Sequence, residues 1–321
     1  MPAPCNYLAC DLGAESGRVM LGTLAGRRLQ LEELHRFANG PIRILGTLRW
    51  DLVRIFEEIK MGLRLAGKRA AAASVSVDSW GVDYLLMRGR EPMLRLPYHY
   101  RDRRTEAPYV EARAQLGEAR IFGHTGVQFM PINSLYQLLA DLAEDAALLR
   151  SADRFLMVAD WLHYLLSGRA VCEETNASTT QLYDPRRRAW ADELIALCDL
   201  PRAIFPEIVT PGTRLGPLLP EIVEETGLPA LEVIAGCTHD TAAAVAAVPA
   251  RGDDWAYLSS GTWSFIGVEL SAPLINDAAR EANFTNEVGY GGTIRFLKNI
   301  IGLWLLQECR RTWALEEQDF D

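Results

Sequence analysis

Asp11-Leu12-Gly13-Ala14-Glu15-Ser16-Gly17-Arg18, with the short apolar runs on either side of it, decides the fold class. Residues 7–10, 19–24 and 29–37 read as strands, so this glycine turn joins strand to strand rather than strand to helix. It is therefore no Walker A loop, which also needs a terminal Lys-Ser/Thr that is absent here. It nevertheless has the parts a polyphosphate requires. Glycines let backbone N–H groups come close to phosphate oxygens. Ser16 adds a hydroxyl, Arg18 a forked cation, and Asp11 is a candidate for holding a hydrated Mg²⁺. Read alone, the stretch is equally an ordinary glycine hairpin with a surface arginine.

Outward from the turn, the pattern alternates strands and helices, which predicts an α/β chain. A helix is expected over 51–68, with Asp51 as N-cap and Ile55, Ile59, Leu63 and Leu65 as its apolar stripe. Residues 72–77 read as a buried strand, and 82–87 as a second strand paired with it through Asp78-Ser79-Trp80-Gly81. Helical spacing dominates 109–120, 134–146 and 160–166. Prolines and glycines over 201–220 predict a long surface connection. A short strand at 231–235, an alanine-rich helix at 241–248, strands at 255–258 and 265–270, and an amphipathic helix at 300–311 complete the reading.

The composition is that of a globular chain of 321 residues, 49% hydrophobic and 23% charged, and its length suggests two domains. A net charge of -9 argues against a general nucleic-acid or anionic-membrane binder. Six scattered cysteines show no metal spacing and read as reduced thiols. The first residues lack a basic segment before their apolar stretch, and the longest uncharged run, 121–140, is too polar to span a bilayer. A cytoplasmic protein is expected.

A second turn, Ser259-Ser260-Gly261-Thr262, repeats the first with hydroxyls in place of charge. Two such hairpins suggest two lips facing one phosphate chain. Between them lies Gly236-Cys237-Thr238-His239-Asp240-Thr241, leading into the alanine-rich helix. A carboxylate there is either a helix cap or a general base taking a proton from an attacking hydroxyl. His239 is either structural or a hydrogen-bond partner for a polyol.

DLGAESGRVMLG (11–22), SVDSWGVDY (76–84), PYHYRD (97–102), GCTHDTAAAV (236–245), SSGTWS (259–264) and NIIGLWLLQE (299–308), in that order, resemble the FGGY carbohydrate kinases. The resemblance implies an actin-like ATPase (ribonuclease H-like) fold, two domains around a cleft. It implies transfer of the γ-phosphoryl of ATP, with Mg²⁺, to the 1-hydroxyl of L-rhamnulose. Fuculose, xylulose or glycerol are alternative acceptors, and a non-catalytic sugar-binding remnant or an actin-like assembly protein are alternative roles. Carried over by motif, Ala14, Glu15, Ser16, Gly17, Arg18 and Thr262 would contact the phosphates and Gln307 the nucleotide. Gly81, His239, Thr241 and Asn299 would line the sugar pocket, with Asp240 as proton acceptor. Trp80, Tyr98, His99 and Asp102 are pocket or hinge candidates. Glu15 departs from the family's small hydroxyl residue, and a carboxylate there repels phosphates unless it faces solvent. Residues 1–240 would form the first domain and 241–321 the start of a second, incomplete one. No nucleic acid or membrane partner is expected.

Overall fold

The computed structural model describes residues 3–94, 96–252, 254–260 and 263–315. Three antiparallel strands open the chain: β1 (Cys5–Leu12), β2 (Ser16–Ala25) and β3 (Arg28–Ala38). On β1 the alternation buries Leu8, Cys10 and Leu12, the period-2 signature of a strand with one face in a core. Helix α1 (Leu52–Gly67) follows, capped by Asp51, whose side chain accepts from the Arg54 amide. Its buried stripe runs Leu52, Ile55, Ile59, Leu63, Ala66, whereas the expected Leu65 is 37% exposed. Gly62 is where α1 comes closest to β2, since a Cβ there would lie 2.4 Å from Val19 Cγ2.

The chain then enters β4 (Ser74–Ser79), which pairs parallel with β1. The next strand, β5 (Tyr84–Arg88), does not pair back on β4 as expected. It joins β6 (Arg154–Met157) in a separate small sheet, beyond helix α2 (Ser134–Arg150). Val82, at φ 66°, turns the chain away. Helix α3 (Val158–Ser167) covers β4. Within the proline-rich connection, β7 (Thr213–Pro217) is an edge strand rather than loop, paired antiparallel with β8 (Glu232–Ala235). The large sheet thus has the order β7-β8-β4-β1-β2-β3, with β8, β4 and β1 parallel.

Helix α4 (Asp240–Ala246) leads to a second sheet built from β9 (Tyr257–Ser260), β10 (Trp263–Leu270), β11 (Thr285–Val288) and β12 (Ile294–Ile301). Its order is β9-β10-β12-β11, antiparallel throughout. The helix expected over 300–311 begins later, as α5 (Trp304–Leu315), because the 300 region completes β12 against β10. Both glycine turns do join antiparallel strand pairs, β1/β2 and β9/β10. All six cysteines are free, and no helix among the described residues is long and apolar enough to cross a membrane.

The parallel strands β1, β4 and β8 place Asp11, Ser79 and the 236–240 segment at their carboxyl ends. That is where open α/β sheets present ligand sites.

Candidate active site

A cavity of about 510 Å³ opens at those strand ends. The first glycine turn forms one side of it, through Asp11, Gly13, Ala14, Glu15, Ser16 and Arg18. The turn is pinned from within: the Gly13 amide donates to the Ser16 carbonyl at 2.9 Å, and Asn39 Nδ2 donates to the Gly13 carbonyl at 2.7 Å. Arg18 stands opposite Asp11 in the β1/β2 register, and its Nε donates to Asp11 Oδ2 at 2.8 Å. Cation and carboxylate, which the sequence assigned separate tasks, thus form one partly exposed pair. Glu15 is exposed. Gly17 does not line the cavity; it lies inside the sheet, where a Cβ would meet Phe37 Cζ at 2.3 Å. Ser259 and Ser260 bring the second hairpin to the same cavity. Thr262 lies outside the described residues, as does the side chain of Gln307.

Asp240 is the first residue of α4, and His239 takes the N-cap position without a side-chain cap bond. The Asp240 carboxylate accepts from the adjacent Thr241 amide at 2.6 Å and retains 29% exposure into the cavity. Burial raises its pKa above the ordinary aspartate value, and Asp11 pushes the same way. His239, the Thr241 amide and Arg295 oppose that rise. Asp78, directly opposite Asp11 on β4, is pushed well up by burial, then by Asp11 and Asp240. Three carboxylates therefore share one electrostatic neighbourhood.

Gly81, His239, Thr241 and Asn299 line the same cavity. Gly81 packs on Thr179, whose Oγ1 would be 2.8 Å from an added Cβ. Asn299 Nδ2 donates to Gln128 Oε1 at 2.9 Å. Trp80 also lines the cavity, and its indole N–H donates to buried Asp83 at 3.0 Å, as Trp50 does at 2.5 Å. Burial lifts Asp83 to about 6 despite these donors. Tyr98, His99 and Asp102 are supports rather than lining. Tyr98 is sandwiched between the Arg49 and Arg104 guanidiniums, His99 stacks on Trp50, and Asp102 accepts from the Leu48 amide.

Sequence reasoning missed Arg295 and Glu287. They face each other in the β11/β12 register, and Arg295 is fully buried. Arg295 Nη2 donates to Glu287 Oε2 at 2.9 Å and lies 3.0 Å from His239 Nδ1, while Nη1 donates to Thr241 Oγ1 at 2.8 Å. One guanidinium thus fixes both residues flanking Asp240. The only signal in the chain was a charge inside an apolar strand.

The chain matches the N-terminal domain of the FGGY family of carbohydrate kinases over residues 6–247 and the C-terminal domain over 256–321. It belongs to that family. FGGY relatives include proteins named rhamnulokinase from Bacillus subtilis (43% identical over 306 residues, 95% of this chain) and Bacteroides thetaiotaomicron (43% over 310 residues, 96% of this chain). The chain spans 62% and 64% of their lengths. Among solved structures, ligand-bound xylulose kinase from Lactobacillus acidophilus superposes with a TM-score of 0.84 at 18% identity, covering 98% of this chain and 64% of that one. Plasmodium falciparum glycerol kinase with ADP gives 0.79 at 15% identity, covering 95% and 63%. The actin-like ATPase fold expected from the sequence motifs is the fold of the FGGY kinases.

Proposed function

We propose that the protein is a sugar kinase that transfers the γ-phosphoryl group of ATP to the 1-hydroxyl of L-rhamnulose, giving L-rhamnulose 1-phosphate and ADP. The observation that carries this reading is the Asp240 carboxylate, which projects into a cavity shared with the Gly13–Arg18 turn and does not serve as a helix cap. The acceptor itself is taken from the relatives named rhamnulokinase.

In this reading the sugar lies against Gly81, His239 and Asn299, and its reacting hydroxyl hydrogen-bonds to Asp240. As oxygen attacks phosphorus, the hydroxyl proton passes to the carboxylate and ADP departs with the electrons of the broken P–O bond. A raised carboxyl pKa makes Asp240 a better proton acceptor. The turn residues Ala14 to Ser16 receive the phosphates through backbone and hydroxyl donors, and the family motifs add Thr262 and Gln307 as further nucleotide contacts.

Magnesium, which the family's reaction implies, fits the residues present through water rather than by direct ligation. Among the described residues no three His, Cys, Asp or Glu converge to hold an ion. Asp11 and Asp78, opposite each other on neighbouring strands, are nonetheless the hard oxygen groups a hydrated Mg²⁺ prefers, and Asp11 would hold it. When bound, the ion neutralises phosphate charge.

We place the seam between the two halves at residues 1–240 and 241–321; the family matches divide the chain slightly later, between 247 and 256.

The test is ADP release with L-rhamnulose, L-fuculose, D-xylulose and glycerol, with the phosphorylated position read by NMR. L-rhamnulose is expected to give the highest kcat/KM and a 1-phosphate. A faster acceptor replaces it in this reading, and no ADP with any of the four refutes a kinase. Gly81→Ala is expected to raise the sugar KM roughly tenfold, since overpacking costs about 1–3 kcal/mol, while the KM for ATP stays within about twofold. Steady-state kinetics in both substrates checks it.

A further inference from the structure

We propose that Glu173 is a positioning residue for Asp240, its carboxylate locking the two residues that precede the base. The role rests on the kinase reading above. Glu173 ends the two-residue strand Cys172–Glu173 and caps the single-turn helix Glu174–Ala177. It is fully buried, and neither it nor Thr238 lines the cavity.

Four donors converge on this carboxylate. The Thr175 amide reaches Oε1 at 3.0 Å, and the Thr175 hydroxyl donates to Oε2. The other two come from 65 residues away: the Thr238 amide and the Thr238 hydroxyl, each 2.9 Å from Oε2. Thr175 extends the grip by one residue, because its Oγ1 accepts from the His239 amide at 3.2 Å. The Thr238 carbonyl is held from the other side by the Ser79 amide at 2.9 Å and by Asn176 Nδ2 at 3.3 Å. Asp240 follows at once. Its carboxylate accepts from the Thr241 amide and lies 3.5 Å from His239 Nε2, so its direction depends on how the backbone before it, His239 included, is held.

A helix cap alone needs only the Thr175 bonds. The Thr238 bonds add nothing to a one-turn helix, and a neutral Asn or Ser would cap it without burying a charge. The burial is costly: even with four donors, Glu173 is pushed up to about 7 by desolvation. Asp160, whose Oδ1 accepts from the Glu173 amide at 3.1 Å, adds a second carboxyl beside it. Groups buried at such cost are retained where they fix one conformation among several. Four donors and no acceptor also specify a carboxylate, since the NH₂ of a glutamine would have to oppose a donor.

The experiment compares Glu173→Gln, Thr238→Val and Thr238→Ser with the unchanged protein, measuring kcat, both KM values and thermal melting. Misplacing a reacting group by an ångström costs up to about a hundredfold. Glu173→Gln and Thr238→Val are expected to lower kcat at least about tenfold, with both KM values within about twofold. Thr238→Ser keeps the hydroxyl and is expected to restore most of the loss. Should Glu173→Gln fail to fold, the Thr238 pair decides alone. Unchanged kcat in Thr238→Val, or a kcat loss that Ser does not restore, overturns the positioning role. An unchanged protein that phosphorylates no sugar overturns the kinase reading and this role with it.

Discussion

Asp240→Asn is expected to leave sugar and ATP affinity near normal and to lower kcat at least about a hundredfold, the usual range for a general base being 10²–10⁴. A sugar hydroxyl is a poor nucleophile until its proton has somewhere to go as the new P–O bond forms. Asn has the same shape and caps a helix about as well, but it cannot take that proton. The structure sharpens the contrast, because the cap position belongs to His239, and the Asp240 side chain accepts from the next amide and lies 3.5 Å from His239 Nε2 rather than capping the helix. Stability should therefore barely change. The acid limb of the kcat profile of the unchanged protein should also lie above the ordinary aspartate value, since burial and Asp11 raise the Asp240 pKa. Rate falls as pH drops through that raised value because the base becomes protonated. Kinetics and isothermal titration of the variant decide the matter; a kcat within about fivefold of normal removes Asp240 from the chemistry.

Local pattern carried much of the fold and failed where pairing was decided at long range. The alternation of Leu8, Cys10 and Leu12 and the stripe Ile55, Ile59 and Leu63 are each set by neighbours within one element, so spacing reveals them. The partner of β5 is not local. Positive φ at Val82 and the anchoring of Asp83 by two indoles send the strand to β6, and no residue near 82 announces this. Likewise, an apolar run from 300 onward satisfies helical spacing, yet its first residues are claimed by β10. The site divides the same way. Gly81, His239, Asp240 and Thr241 stand in short motifs whose residue types state their chemistry. Glu173 reaches Thr238 across 65 residues, and Arg295 reaches His239 across 56. Such residues read as ordinary charges until the sheet registers bring them together.

Arg295→Met is expected to cost about 3–5 kcal/mol of stability, the range for breaking a buried ion pair by removing one partner. Arg295 is fully buried and Glu287 is 7% exposed. Burial by itself would raise the Glu287 pKa. Arg295, with help from His239, more than offsets it and holds the carboxyl below its usual value. In the unchanged protein Glu287 thus adds stability at pH above its ordinary range, and that part is lost as pH falls through the lowered pKa. Without the guanidinium, burial, the largest single cause, is opposed by His239 alone, and the sign is expected to reverse. Glu287 then carries a penalty above its ordinary range, relieved once acid protonates it. Acidification from pH 7.5 to 5.5 should therefore narrow the gap between variant and unchanged protein. Adding Glu287→Gln to Arg295→Met should recover a large part of the loss at pH 7.5, since no charge is then left buried. Urea unfolding at the two pH values measures all three effects. A single-variant loss below about 1 kcal/mol, or a double variant no more stable than the single, would show that the pair does not hold the strands β11 and β12. The same guanidinium also fixes His239 and Thr241. The double variant, even with stability restored, should therefore still bind sugar less tightly than the unchanged protein, because the two side chains beside Asp240 have lost the donor that orients them.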